Sequence, residues 1–174
     1  MLALAGVGWM MIAGRPIPLD LFVDLENLPR GLAAGLGAGA LLLGLWALAR
    51  RLLPAVRALE DGLAALIGRL DPSEAFALAV ISGLAEEFVF RAVLLSDLGP
   101  WISLALFTVL HTGPGRIYLL WTAFAALAGA LFTLLVLWSG DLLPAILAHV
   151  VVNAVNLRYL SARMPAESAP MPPE

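Results

Sequence analysis

Apolar residues in this chain fall in long runs of about bilayer thickness, and short polar clusters separate the runs. Residues 31–53 are the clearest run, rich in Gly and Ala and closed by Arg50 and Arg51. A spanning helix needs roughly 20 apolar residues, and small residues at this density let helices approach closely. Residues 117–138 predict a second full span, and residues 142–160 a third after the Gly140-Asp141 turn. Asp71-Pro72-Ser73-Glu74 is a helix start signal for a span reaching to about Leu95. Asp97, Gly99 and Pro100 then turn the chain, and residues 101–111 form a short apolar helix that Gly113-Pro114-Gly115 breaks. Residues 1–14 are apolar but short and predict a tilted first helix, followed by a polar loop over 15–30.

Residues 54–70 carry a different pattern. Val56, Leu59, Leu63, Leu66 and Ile67 share one side, with Arg57, Glu60, Asp61 and Arg69 elsewhere. That periodicity predicts an amphipathic helix lying in the membrane interface. The expected class is therefore all-α: a polytopic transmembrane helix bundle of about six membrane helices plus one interfacial amphipathic helix. One integral membrane domain covers residues 1–163, and the Pro-rich stretch 164–174 is expected to be a disordered tail. No internal repeat is visible.

Composition removes the water-soluble alternatives. The hydrophobic fraction is 61% and only 13% of residues are charged, with a mean hydropathy of +0.95. Soluble domains sit nearer half apolar and a quarter charged, so the bilayer must be the solvent. There is no Cys, which excludes disulfides, thiolate metal sites and a Cys nucleophile. All ten basic residues are Arg, a bias that points to a GC-rich bacterial genome. The N-terminus lacks a basic region before its apolar run and is not read as a cleaved signal peptide. Arg50, Arg51, Arg57, Arg69, Arg116, Arg158 and Arg163 fall on one side of the bundle, and Arg15 and Arg30 on the other beside three acids. The positive-inside rule then places both termini in the cytoplasm, in a multi-pass protein of the bacterial inner membrane.

Three helical segments carry groups that cost free energy at membrane depth. Glu86, Glu87 and Arg91 lie inside the span that starts near Ser73. An ionisable group there costs roughly 2.5–3.5 kcal/mol on insertion scales, which makes it a functional candidate. Glu87 and Arg91 are i,i+4 with the acid first, the favoured pairing order, and a structural ion pair accounts for them. Glu86 is about 100° further round the helix and has no local partner. The two histidines, His111 and His149, both fall within apolar helices, and His149 shares a face with Asn153. Phe107, four residues before His111, is placed to pack beneath its imidazole. Counting residues from the outer turns puts Glu86, His111, His149 and Asn153 all roughly 10–17 Å deep. Four polar groups from three helices at one level read as a site.

These residues carry a resemblance. Glu86-Glu87-x-x-x-Arg91, Phe107-x-x-x-His111 and His149-x-x-x-Asn153 resemble the three motifs of the CAAX protease and bacteriocin-processing (CPBP, or Abi) family, over residues 74–160. The run from Asp141 to His149 is also similar to that family's approach to its last motif. One departure is Ala92, where family members usually carry Gly after the Arg. The resemblance implies an intramembrane peptidase of the glutamate type: Glu86 and His111 activate water, His149 and Asn153 stabilise the oxyanion, and Glu87, Arg91 and Phe107 support them. It implies no cofactor in that mechanism. The metalloprotease description of the same family stays open beside it, because two His and a Glu also suit Zn²⁺ in a CAAX-type prenyl-protein endopeptidase. The partners implied are the lipid bilayer and a membrane-anchored protein or peptide substrate, with no nucleic acid. Substrate classes in view are prenylated CAAX tails, bacteriocin-type leaders, and carboxy-terminal sorting or anchor segments of the kind processed by the myxosortases, which are similarly small.

Other intramembrane proteases do not fit. The chain has no H-E-x-x-H and no G-x-S-x-G, and Asp97 and Asp141 sit in turns rather than as a membrane-embedded pair. Two rival classes remain from the sequence: a non-enzymatic scaffold or immunity protein of the same fold, and a proton channel or transporter relaying protons through Glu86 and the histidines.

Overall fold

The structure is a computed structural model that describes residues 2–12, 14 and 21–164. The regular structure among the described residues is all helical: α1 (Leu2–Ile12), α2 (Leu28–Leu52), α3 (Pro54–Ile67), α4 (Pro72–Glu87), a π-helical segment (Phe88–Leu94), α5 (Leu95–Leu110), a 3₁₀ turn (Arg116–Tyr118), α6 (Leu119–Ser139) and α7 (Leu143–Ser161). Among the described residues, four stretches are long and apolar enough to cross a membrane: Leu28–Leu52, Pro72–Leu110, Arg116–Ser139 and Leu143–Ser161. Trp101, Leu134, Leu137 and Trp138 are more than half exposed on the bundle's exterior, the distribution lipid requires rather than water. At 11 residues, α1 is about half the length of a span. It leans on the π segment, where Gly6 lets it approach the side chains of Phe88 and Val89. The proposed tail from Pro165 onward, and residues 15–20 of the first loop, lie outside the described residues.

The 39-residue stretch Pro72–Leu110 folds back on itself. Gly99 adopts φ 78°, ψ 172°, and Pro100 follows it; this left-handed region is one that glycine enters without a Cβ penalty. Beyond the turn, the Ser103 hydroxyl donates to the Phe90 carbonyl at 2.6 Å, and the Phe107 ring packs edge-on against Phe90 at 5.0 Å. The returning leg ends at Leu110, so His111 is the residue that caps α5 rather than one inside it. The Gly113-Pro114-Gly115 sequence that follows keeps the helix from continuing.

α7 lies at the centre. Gly35 and Gly39 of α2 meet the Pro144 carbonyl and Val151, and Gly83 of α4 meets Val150. A Cβ on Gly35 would sit 2.8 Å from the Pro144 oxygen, and one on Gly83 would sit 2.7 Å from a Val150 methyl. Small residues here hold two helices close to the one that carries His149 and Asn153.

α3 departs from its expected polar face in one respect. Glu60 is fully buried, on the same side as Val56 and Ala64. It accepts from Trp46 Nε1 at 3.0 Å, Arg50 Nε at 2.8 Å and Tyr159 Oη at 3.2 Å. A buried carboxylate is tolerated when it is paired and hydrogen-bonded, and these partners tie α3 to α2 and α7.

The start of α4 is a capping box. Asp71 accepts from the Ser73 and Glu74 backbone N–H, and Glu74 accepts in return from the Asp71 N–H. The Ser73 hydroxyl and then the Glu74 N–H hold the Asp71 carboxyl below its ordinary value of 3.8. A carboxyl depressed in the folded state contributes stability above its unfolded value and loses it as pH falls through the folded one. Asp71→Ala should therefore lower the thermal midpoint in detergent at neutral pH, and the gap from the wild type should narrow as pH falls below the ordinary carboxylate range. A gap independent of pH would show that the carboxylate is not what caps the helix.

Candidate active site

Glu86 and Glu87 are consecutive on α4, yet they face different neighbours. Glu87 is fully buried. Its Oε1 accepts from Arg91 Nη1 at 3.1 Å and from His149 Nδ1 at 2.7 Å. The expected pair with Arg91 is present, and the contact to His149 is an addition that sequence spacing did not reveal. Arg91 lies in the π segment, whose i→i+5 turns are wider than those of an α-helix. Its Nη2 donates to the Gly129 carbonyl at 3.0 Å. The guanidinium also sits over the Phe107 ring at 4.4 Å, with Phe132 and Phe90 at 5.6 and 5.8 Å. This cation–π cage and the carboxylate together compensate for a desolvated charge.

Glu86 points the other way, into a cavity of about 410 Å³. Its Oε2 lies 3.5 Å from His111 Nε2 and 4.0 Å from His149 Nε2, and has no hydrogen-bond partner among the described residues. The structure thus brings Glu86, His111 and His149 around one point, with Asn153 lining the same cavity. Asn153 Nδ2 donates to Ser82 Oγ at 2.9 Å. α4 and α7 run antiparallel here, so Ser82–Asn153 and Glu86–His149 form two rungs one helical turn apart.

The outer nitrogen of each histidine is fixed by its partner. His111 Nδ1 is 2.7 Å from the Phe107 carbonyl oxygen. A carbonyl only accepts, so Nδ1 carries a proton and Nε2 is the ring nitrogen turned toward Glu86. The bond also satisfies one of the carbonyls left free at the end of α5. Phe107 stacks under this imidazole at 4.3 Å, as its spacing predicts, and Trp121 lies on another side at 6.0 Å. His149 Nδ1 is held by the Glu87 carboxylate, and Phe132 stacks on its ring at 5.1 Å. A histidine fixed at Nδ1 by a carboxylate is a recurring way to orient Nε2. Sequence reasoning did not single out Ser82, Phe132 or Trp121 as neighbours of these groups. The one signal for Ser82 was its position one turn before Glu86.

The cavity extends along α7 from His149 past Asn153 to Leu160, about 16 Å at helical rise. Its walls are mostly apolar, from Trp46, Leu63, Leu78, Trp121 and Leu157, and Glu60 lies at its far end. Among the described residues, no group of three or more His, Cys, Asp or Glu side chains is arranged to hold a metal ion.

Removing the Glu87 charge tests the buried network directly. Glu87→Gln leaves the Arg91 guanidinium buried without a counter-charge and should cost about 3–5 kcal/mol. Low yield and a lowered thermal midpoint in detergent are the expected results. Normal stability with lost activity would instead move Glu87 from the scaffold into the chemistry.

Part of the chain matches a known family. A family model described as Type II CAAX prenyl endopeptidase Rce1-like matches residues 69–155, half of the chain and the part that contains all three motifs. The uncharacterized protein YpbD of Bacillus subtilis (strain 168) is 30% identical over 81 residues, which are 45% of this chain and 41% of that protein. The match thus spans less than half the length of that curated relative. No solved structure matches the chain. An all-helical membrane bundle with these motifs inside the matched region belongs to the Type II CAAX prenyl endopeptidase Rce1-like family, a peptidase family within the CPBP group.

Proposed function

We propose that this chain is an intramembrane glutamic endopeptidase in which Glu86 and His111 activate water and His149 and Asn153 stabilise the oxyanion. The observation that carries the reading is the convergence of both histidine Nε2 atoms on Glu86 Oε2, at 3.5 and 4.0 Å, inside a largely apolar cavity. A water there donates one hydrogen to Glu86 Oε2 and the other to His111 Nε2. Glu86 takes the proton as the water oxygen adds to the scissile carbonyl carbon. The carbonyl oxygen becomes an oxyanion facing His149 and Asn153. When the C–N bond breaks, Glu86 returns its proton to the leaving amine, so protons balance over the cycle. With Nδ1 held by Glu87, the His149 ring is oriented with Nε2 toward the oxyanion.

The substrate in this reading is a membrane-anchored protein or peptide whose cleaved segment lies along the apolar cavity. Carboxy-terminal sorting or anchor segments are the substrate class favoured here, in the manner of the myxosortase resemblance. In this reading the protein sits in the bacterial inner membrane with both termini cytoplasmic, and the cavity runs from mid-membrane toward the arginine-rich cytoplasmic side. The alternative is a zinc-dependent CAAX-type prenyl-protein endopeptidase, with Glu86, His111 and His149 as the ligands. The purified chain in detergent, offered internally quenched peptides of the prenylated CAAX, leader and anchor-segment types, should cleave one class. A folded protein that cleaves none of them would favour the scaffold reading. Proton flux in proteoliposomes would favour the channel.

A further inference from the structure

We propose that Ser82 is a positioning residue that fixes the orientation of the Asn153 carboxamide. The inference rests on the reading of Asn153 as an oxyanion donor. The Ser82 hydroxyl donates to the Ala79 carbonyl at 3.2 Å, within its own helix. A hydroxyl has one hydrogen and two lone pairs. With that hydrogen engaged, Ser82 Oγ offers only lone pairs to α7. The amide edge it meets at 2.9 Å must then be Nδ2 and not Oδ1. A flipped amide would set two acceptors against each other. One Nδ2 hydrogen is held by Ser82, and the second remains for a ligand in the cavity that both residues line.

This lock is needed because nothing in the Asn side chain itself chooses the edge. Its terminal torsion is broad and two-fold, so an unheld carboxamide presents an acceptor to the developing oxyanion part of the time. The rung carrying Ser82 and Asn153 lies one turn from the rung carrying Glu86 and His149. Between the two, Gly83 lets α4 approach Val150 of α7. The close approach of the helices therefore sets the hydroxyl at bonding distance from the amide. Ser82 touches no reacting atom in this arrangement; it acts through Asn153.

The test compares wild type, Ser82→Ala, Ser82→Thr, Asn153→Ala and the Ser82→Ala/Asn153→Ala double variant, in detergent, on an internally quenched prenylated CAAX peptide. Ser82→Ala should lower kcat roughly three- to ten-fold, the value of one hydrogen bond, with KM and the thermal midpoint unchanged. Ser82→Thr keeps the hydroxyl and should restore most of the rate. The double variant should be no slower than Asn153→Ala, since Ser82 has nothing to position once the amide is gone. A second readout does not need turnover. In protein labelled with ¹⁵N-asparagine, the chain has only three Asn, at 27, 153 and 156, and the Asn153 carboxamide pair can be assigned by its loss in Asn153→Ala. In Ser82→Ala that pair should shift and broaden through exchange. A carboxamide that stays as ordered in Ser82→Ala as in wild type overturns the proposal, as does unchanged kcat or a multiplicative double variant. An Asn153→Ala enzyme with full activity would instead overturn the oxyanion reading beneath it. If the wild type does not cleave the peptide, the spectra still decide for or against Ser82.

Discussion

Glu86→Gln should keep its fold and lose about 10²–10⁴-fold in kcat, the range for removing a general base. The amide is nearly isosteric with the carboxylate, so the cavity keeps its shape. It cannot take a proton from water, and its NH₂ can turn toward the His111 Nε2 lone pair, which displaces the water from the place where it is activated. Stability should hold or rise, because Glu86 Oε2 is a buried acceptor with no partner among the described residues and the substitution removes its charge. That sign separates Glu86 from its neighbour: the Glu87→Gln change breaks a paired network and destabilises, while Glu86→Gln breaks none. Chelators should leave the purified wild type active, and metal analysis should find well under one equivalent of zinc. Stoichiometric zinc, with activity lost on chelation and restored by zinc, would replace the metal-free mechanism and make Glu86, His111 and His149 ligands.

The spans and the level of the site were legible in the sequence because both follow from one-dimensional quantities. Hydropathy over about 20 residues marks a span, and a constant rise of 1.5 Å per residue turns sequence distance into depth. That is why Glu86, His111, His149 and Asn153 could be placed together before any contact was known. The pairing of Glu87 with Arg91 was legible for the same reason, being local. What was hidden depends on contacts between helices. Glu87 meets His149 across 62 residues of sequence, and spacing within either helix says nothing of it. Glu60 reads as part of a polar face, because helical periodicity cannot know that Trp46, Arg50 and Tyr159 will enclose it. The π segment is a tertiary outcome as well. Phe88–Leu94 is an ordinary apolar helical sequence, and its widened turns accompany an Arg91 that reaches Glu87 and the Gly129 carbonyl at once. The early end of α5 at Leu110 was partly legible, since Gly113-Pro114-Gly115 marks the break. Its consequence, a His111 whose Nδ1 caps its own helix, needed the backbone geometry.

Asn153→Ala should lower kcat roughly 10²–10³-fold, the usual effect of removing one oxyanion donor in a site shielded from water. KM should change little, because the donor acts on charge that develops only in the transition state. Truncation leaves Ser82 Oγ at a cavity wall, where water can replace the lost donor, so the fold should tolerate the change. Asn153→Asp is the sharper variant. It keeps the size of the side chain and swaps the Nδ2 donor for a carboxylate oxygen that can only accept when ionised. That oxygen would face both Ser82, whose hydrogen is engaged by the Ala79 carbonyl, and an oxyanion of like charge. Asn153→Asp should therefore be slower than Asn153→Ala near neutral pH. It should recover toward the alanine rate, or beyond it, as pH falls and the carboxyl becomes a neutral donor. A steric or purely scaffolding role for Asn153 predicts the opposite order, since Asp preserves shape and Ala does not. Initial-rate measurements of the two variants across a pH series, with thermal midpoints to confirm that both are folded, distinguish the two roles.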